Sequence, residues 1–503
     1  MNVLLQILAL PAVLAVLSYF IKSTRLTRKL VPAVLWLQLG VVTYLLLPVL
    51  RGEQSVMFFA TGLLVDKLGA HFMLLTTFVV ACCTTHADYF FTVHEKTEPI
   101  PPRHLRIFYA CVNIFLMAMT TVFVCDSLGY LWIAIEATTL SSAPLVYFER
   151  NKNALEATWK YLIVCSVGIA FALLGTVFIF AASQRGMAVP SLNFSELAAH
   201  ATALNFPLLQ LGFIFCLLGY GTKAGIFPLH SWLPDAHSEA PAPASAMLSG
   251  SLLNCALFGI WKTSSLLLAA KPHSHTYHLV AMIGTVTVVA ASLLLMRQHN
   301  FKRLWAYSSI ENVGLMLFAI GFGSGPLFFL QALNHSLAKV SLFLLTGNIV
   351  QAAGTKKLSK LHGVIEDSPV WAGLLALSAF AVAGAPPFGA FVAEMSMLTL
   401  SFADERVYLA FIMVIALAIS FIAICAHVGG VIFGASKQSF NAWKPNQASI
   451  IPAMLVLCTL ILGLTLRTEL WTVAPKADLV QVQSSINRQA VNTTDVSSTG
   501  QIR

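Results

Sequence analysis

The sequence predicts an all-α polytopic membrane protein of about 14 transmembrane helices, and three observations carry that expectation. Of the 503 residues, 57% are hydrophobic and only 10% are charged. Mean hydropathy is +0.79, more apolar character than a soluble protein of this size could bury. Apolar runs of about 18 or more residues recur from end to end, the length needed to cross a hydrocarbon core of roughly 30 Å. The short alternating segments of a membrane β-barrel are absent.

In order, the expected spans are 3–21, 31–50, 66–91, 104–124, 127–149, 155–183, 206–229, 241–268, 277–296, 302–323, 326–352, 369–400, 406–434 and 449–468. The first lacks a basic leader and a small-residue cleavage site, so it reads as a retained helix. The third carries Asp66, Lys67 and His71 at its start. Several exceed 20 residues, which calls for tilt or breaks.

Basic residues fix the expected orientation. One set of loops holds Lys22, Arg25, Arg28 and Lys29, then Lys96, Arg103 and Arg106, then Arg150 and Lys152. It continues with Arg297, Lys302 and Arg303, with Lys356, Lys357 and Lys360, and with Lys437 and Lys444. The opposite loops hold little beyond Arg51, Arg185, Lys271 and Arg406. By the positive-inside rule the first set is cytoplasmic and both termini lie outside, as for a multi-pass protein of a bacterial inner (plasma) membrane. The net charge of +9 then reflects loops facing anionic headgroups, and no basic-aromatic patch points to nucleic acid. The polar tail after 470 carries no motif.

The nine cysteines all lie in apolar runs without a CxxC pair, and no GxGxxG or P-loop pattern occurs. The chain is therefore expected to hold no redox centre, no metal and no nucleotide cofactor.

A charge at mid-bilayer costs roughly 2.5–3.5 kcal/mol on insertion scales, so intramembrane charges are functional candidates. Five stand out: Glu136 in LWIAIEATTLSSAPL, Lys223 in the seventh span, Glu311 in YSSIENVGL, Lys339 in NHSLAKVSLFLL, and Glu394 after GAPPFG. His335 lies four residues before Lys339, on the same helix face. Lys160, Lys262 and His427 are secondary; the lysines can snorkel to an interface, and a lone histidine is more often a satisfied interior group. A buried Lys–Glu pair can serve only to lock helices. Five such groups over successive spans favour a proton or ion path, because apolar packing would hold helices as well. Burial disfavours the charged form of lysine and a nearby carboxylate restores it, so lysine, glutamate and histidine in alternation can load and release protons.

Two spans contain backbone breakers. Pro228 follows Lys223, and Ala385-Pro386-Pro387-Phe388-Gly389 precedes Glu394. Broken membrane helices are tolerated where they line a cavity, and a pair five spans apart suggests inverted repeats of helices 4–8 and 9–13. On that pattern Glu136 matches Glu311, and Lys223 matches Glu394. Between the seventh and eighth spans, His230, Asp235, His237 and Glu239 are metal-ligand types, but their spacing fits no zinc signature. A polar cytoplasmic mouth for proton uptake is the preferred reading.

The stretches GTKAGIFPLHSWLPDAHSEAPAPASAMLSGSLLN, FKRLWAYSSIENVG, NHSLAKVSLFLLTGN and GAPPFGAFVAE resemble the antiporter-like subunits of respiratory complex I, Mrp-type cation/proton antiporters and membrane-bound NiFe hydrogenases. HSEAPAPASAMLSG, with YSSIEN and NHSLAK, resembles most the hydrogenase-4 component F branch and its formate hydrogenlyase relatives. The resemblance spans roughly residues 60–435. It implies a 14-helix fold with two inverted five-helix repeats and broken helices 7 and 12. It places the coupled glutamate and lysine on Glu136 and Lys223, the helix-11 pair on His335 and Lys339, and the terminal charge on Glu394. The lysine common in helix 8 of that family falls here on Asn254, so water or His237 has to bridge the centre.

The expectation is a proton-conducting membrane subunit of a redox-driven complex. Its proton relay comprises Glu136, Lys223, His335, Lys339 and Glu394, with Lys160, His230, His237, Asn254, Glu311 and His427 secondary. Partners would be further membrane subunits and a peripheral cytoplasmic module holding NiFe and iron–sulfur centres. The alternatives are a Na⁺/H⁺ antiporter subunit or a structural membrane anchor with conduction lost. The expected division is 1–103 (helices 1–3), 104–270 and 271–435 (the repeats), 436–470 (helix 14) and 471–503 (tail).

Overall fold

Backbone groups inside a bilayer have no water to bond, so helices dominate and their ends need local satisfaction. The chain encodes that satisfaction. Ser23, Asp66, Asn151, Asn205, Asn300 and Ser324 each stand at a helix start, with the side chain accepting from a first-turn N–H. A computed structural model describes residues 3–52, 56–60, 62–272, 275–404, 406–435 and 449–466. Lys437, Lys444, the tail 471–503 and the end of the span 449–468 lie outside the described residues.

The elements run α1 Val3–Phe20, α2 Thr24–Leu50, β1 Val56–Ala60, β2 Leu63–Asp66, α3 Lys67–Thr97, α4 Pro102–Val124, α5 Leu128–Val146, α6 Lys152–Gly186 and α7 Phe194–Ala199. They continue with α8 Phe206–Ala224, α9 Leu233–Glu239, α10 Ala242–Met247, a π-turn at Leu248–Leu252 and α11 Leu253–Ala270. The second half holds α12 Thr276–Leu295, α13 Phe301–Gly321, α14 Gly325–Ala353, α15 Val364–Asp367, α16 Pro369–Val382, α17 Gly389–Ala403, α18 Val407–Phe433 and α19 Ile450–Thr465. Among the described residues 9 helices are long and apolar enough to cross a membrane. Leu8–Phe20, Pro369–Val382, Gly389–Ala403 and Ile450–Thr465 are shorter apolar helices.

Three local features depart from the expected elements. The antiparallel hairpin of β1 and β2 occupies the connection before α3, where no element was expected, and Asp66 at its end caps α3 through Gly69. The span 241–268 contains the π-turn at Leu248–Leu252. The span 206–229 ends early, at Ala224, because Gly225 takes a left-handed conformation with φ of 82°. The break therefore belongs to the glycine, and Pro228 lies beyond it.

The second break is built the same way. Gly384 is left-handed with φ of 68°, just past the end of α16. In the first break, Ile226 N–H donates to Gly221 and Leu229 N–H donates to Ile226. In the second, Ala385 N–H donates to Phe380 and Phe388 N–H donates to Ala385, which repeats the pattern residue for residue. This register corrects the match of Lys223 with Glu394. Lys223 precedes its glycine in the last turn of α8, whereas Glu394 follows its glycine on α17.

Polar contacts sort to two ends. At one, Arg28 pairs with Glu95 at 2.6 Å, Lys160 with Asp235 at 2.6 Å, and Lys356 with Glu239 at 3.1 Å. At the other, Lys262 pairs with Asp66 at 2.6 Å, and the Arg406 guanidinium donates to the Gly321 carbonyl at 2.9 Å. The basic loops expected to be cytoplasmic thus gather at one end of the bundle. Helices α6 and α8 approach closely at small residues: a Cβ on Gly175 would stand 2.6 Å from the Gly212 carbonyl oxygen.

Candidate functional site

Two buried lysines organise the interior. Lys223 comes from the last turn of α8, where the left-handed Gly225 ends the helix and turns the following chain back over it. Trp232 then seals the site, its indole N–H donating to the Thr222 carbonyl at 2.9 Å. Lys223 is fully buried. Its ammonium donates to Thr139 Oγ1 at 2.8 Å and to the Tyr161 hydroxyl at 2.7 Å, and lies 4.6 Å from the Tyr161 ring centre. Glu136 does not touch it. Glu136 Oε2 instead accepts from Thr139 Oγ1 at 3.2 Å, and Oε1 accepts from Ser166 Oγ at 2.8 Å. The expected Glu136–Lys223 pair is present as a hydroxyl-bridged pair. Pro228 does not open Lys223 to water, because Trp232 covers it.

The second centre lies among α11, α13 and α14. Lys339, also fully buried, donates to the Trp305 carbonyl at 3.1 Å and sits 5.6 Å from the Trp305 ring centre. Glu311 is within electrostatic reach of Lys339 and accepts a hydrogen bond from Ser420 of α18. Ser309 donates to the same Trp305 carbonyl at 2.8 Å and bonds Ser249 at 2.8 Å. His335 Nε2 lies 3.3 Å from the Ser249 carbonyl. Asn254 donates to Ser336 Oγ at 3.0 Å and to the Gly250 carbonyl at 3.1 Å. Its neighbour Cys255 is within electrostatic reach of Lys223. One turn of α11 thus faces both centres, and Asn254 stands on the side toward Ser336 and His335.

The remaining candidates divide. Glu394 is buried and packs into the break beside Gly384. Lys160 pairs with Asp235, which also accepts from Arg303, so it is an anchor at the bundle's end rather than a member of either centre. Lys262 is likewise committed to Asp66. His427 is half-buried on α18 and meets neither centre in a hydrogen bond. His237 is buried, its ring stacked on Phe343 at 5.2 Å. His230 is half-buried between α8 and α9, stacked on Phe227 at 5.3 Å. Burial, with Lys160 adding to it, lowers the His230 imidazole below the usual histidine range. Asp235 and Glu239 line a polar pocket of about 200 Å³ with Asn153, Glu156, Asn300 and Arg303. The four ligand types of this loop therefore disperse, His237 inward and the two carboxylates onto cations. Because Lys160 is held at a partly exposed surface pair, Lys160→Met is expected to change proton flux through the assembled complex by less than about twofold. A vesicle pH-dye assay checks this, and a loss as large as that of Lys223→Ala would place Lys160 in the path.

Sequence reasoning passed over the hydroxyls. Thr139, Tyr161, Ser166, Ser249, Ser309 and Ser420 carry most polar contacts of the two centres. Only Thr139 had a legible signal: it lies three residues after Glu136, on the same face of α5.

The model of the transmembrane family described as NADH:quinone oxidoreductase/Mrp antiporter matches residues 125–420. Hydrogenase-4 component F homolog of Methylacidiphilum infernorum is 39% identical over 347 residues, which cover 68% of this chain and 72% of that protein. Hydrogenase-4 component B of Escherichia coli is 29% identical over 346 residues, 65% of this chain; the match spans about half of that longer relative, 49%. A chain of the archaeal membrane-bound sulfane sulfur reductase superposes with a TM-score of 0.83 at 22% identity, covering 96% of this chain and 99% of that one. At that identity the likeness speaks for the fold.

Proposed function

We propose that this chain, which belongs to the NADH:quinone oxidoreductase/Mrp antiporter transmembrane family, is the proton-conducting membrane subunit of a redox-driven complex. The observation that carries the reading is the pair of wholly buried lysines, Lys223 and Lys339, each donating to neutral oxygens, with Glu136 one hydroxyl away from Lys223 and Glu311 within electrostatic reach of Lys339. A structural ion pair would bring the opposite charges into contact. These arrangements keep them apart, which suits groups that exchange protons rather than lock helices.

In this reading Glu136, Lys223, His335, Lys339 and Glu394 form the relay, and Asn254, Glu311 and His237 support its centre. His230 and the pocket beside Asp235 form the mouth; His427 and Lys160 are peripheral. A proton on Lys223 passes toward α11, where Cys255 and Asn254 face the two centres in turn, and continues through His335 and Lys339 to Glu311 and Glu394. The chain crosses the membrane 14 times, counting α10 with α11 and α16 with α17 as single broken crossings. The matched breaks support two inverted repeats over 104–270 and 271–435. Both termini lie outside the bacterial inner membrane, and partner subunits hold the NiFe and iron–sulfur centres. The family's antiporter members favour a second reading, a Na⁺/H⁺ exchanging subunit.

The complex, purified from native membranes through a tag on this chain, decides between them. Its co-purified subunits are assayed for nickel and iron, and it is reconstituted in liposomes holding a pH dye. Proton flux under a potassium diffusion potential is expected to fall at least about tenfold in Lys223→Ala and in Glu136→Gln. Unchanged flux in both would leave only an anchoring role. Flux that requires sodium, without nickel in the complex, supports the exchanger.

A further inference from the structure

Thr139 departs from most of the described threonines of the bundle. In a membrane helix a threonine usually donates its hydroxyl to a carbonyl one turn back. Thr77, Thr84, Thr120, Thr158, Thr176, Thr222, Thr263 and Thr285 all do so here, and the adjacent Thr138 donates to the Ile135 carbonyl. Thr139 donates instead to the Glu136 carboxylate, and the oxygen so committed accepts from Lys223. We infer that the Thr139 hydroxyl is the proton-transferring link between Lys223 and Glu136, so that the pair discharges without its two charged groups meeting.

The geometry sets the direction of each bond. Lys223 Nζ donates to Thr139 Oγ1 at 2.8 Å, and Thr139 Oγ1 donates to Glu136 Oε2 at 3.2 Å. Ser166 holds the other oxygen, Oε1, at 2.8 Å, which leaves Oε2 turned toward the threonine. In the transfer, an N–H bond of the Lys223 ammonium breaks as an O–H bond forms on Thr139. The original Thr139 O–H bond breaks as one forms on Glu136 Oε2. An ammonium and a carboxylate become an amine and a carboxylic acid, the threonine ends as it began, and charge is conserved. A second hydroxyl path leaves the same ammonium through Tyr161 and Ser142, 2.6 Å apart, but Ser142 also bonds the Thr138 carbonyl at 2.6 Å. That path ends on a backbone oxygen that cannot keep a proton, so it positions the lysine and only the Thr139 branch reaches a carboxylate.

The inference rests on the proposed conduction, and the test separates the two. Thr139→Val keeps the branched shape and removes the hydroxyl, Thr139→Ala removes both, and Thr139→Ser restores the hydroxyl. Each is made in the purified complex and assayed for proton flux in pH-dye liposomes, beside Glu136→Gln and Lys223→Ala. The expected result is a loss of at least about tenfold in the valine and alanine variants, with serine within about threefold of the parent and subunit composition unchanged throughout. In the parent and serine proteins, replacing H₂O by D₂O is expected to slow the flux more than in the valine variant, whose residual flux no longer uses this hydroxyl. Normal flux in valine and alanine, with Glu136→Gln and Lys223→Ala dead, overturns the threonine link and leaves conduction standing. Equal loss in valine and serine overturns it as well, since the hydroxyl would then not be what matters. Normal flux in all of them refutes the conduction reading itself.

Discussion

Lys339→Arg and Lys339→Met are both expected to stop proton flux, by about tenfold or more, while the complex assembles as before. The two substitutions fail for different reasons. Methionine fills the volume with a flexible apolar chain and carries no proton. Arginine keeps the positive charge beside Glu311 and Trp305 but does not give its proton up. A fixed charge that only steadies the Glu311 carboxylate would survive as arginine, so flux retained in Lys339→Arg would remove Lys339 from the proposed relay. Stability is expected to follow the partner left behind. Lys339 is fully buried and, among the described residues, donates to the Trp305 carbonyl. Removing one member of a buried charge pair commonly costs about 3–5 kcal/mol because the other charge is left uncompensated, whereas replacing both members by neutral groups is often close to neutral. Thermal dissociation of the Lys339→Met complex is therefore expected below the parent's temperature and to recover in Lys339→Met, Glu311→Gln while flux stays lost, which distinguishes a lost proton carrier from a collapsed site.

The helices were legible because the bilayer demands them. Apolar length alone placed a helix at every expected span, and the polar caps that start α3, α6, α8 and α13 stand in the sequence as Asp66, Asn151, Asn205 and Asn300. The ends were less legible. Pro228 is a conspicuous breaker, yet α8 stops at Ala224, because a glycine free to go left-handed can end a helix before a proline is reached. The hairpin of β1 and β2 escaped notice because two strands this short leave no periodicity long enough to read.

Within the site, the charged members were visible and their partners were not. Lys223, Lys339 and Glu311 declare themselves, since each is a costly charge in an apolar run. The hydroxyls that receive their hydrogen bonds look like any of the serines and threonines that back-bond along these helices. Nothing local distinguishes Ser309, which bridges Ser249 of the π-turn, from Ser292, which bonds only its own helix. That difference arises from which helix packs opposite, and packing is non-local. For the same reason Lys160 and Lys262 could be read only as secondary charges able to snorkel to an interface, and their partners Asp235 and Asp66, each more than 60 residues away in sequence, hold them at opposite ends of the bundle.

Gly384→Ala is expected to cost both stability and function, and the loss of stability should depend on Glu394. Alanine at a φ of 68° is strained by about 1–2 kcal/mol whatever surrounds it. A Cβ there would also stand 2.6 Å from the Glu394 carboxyl carbon, so the carboxylate has to leave its seat in the break. The combined effect on the isolated variant is expected to exceed the backbone strain alone, with a clear drop in the complex's thermal dissociation temperature and a loss of flux comparable to that of Glu394→Ala. In the double variant Gly384→Ala, Glu394→Ala the clash partner is gone, and only the backbone strain remains. The two substitutions should therefore couple, the pair being less destabilising than the sum of the singles, as neighbours in contact do. Gly373→Ala on α16 is the control: its Cβ meets nothing within 4 Å, and alanine in a helix interior stabilises by up to about 1 kcal/mol. Strict additivity between positions 384 and 394 would mean that the carboxylate does not occupy the break, and the support for Glu394 as the proposed terminal group of the relay would go with it. Coupling would show that the absence of a single side chain, at the one left-handed residue between α16 and α17, is what gives that carboxylate its place.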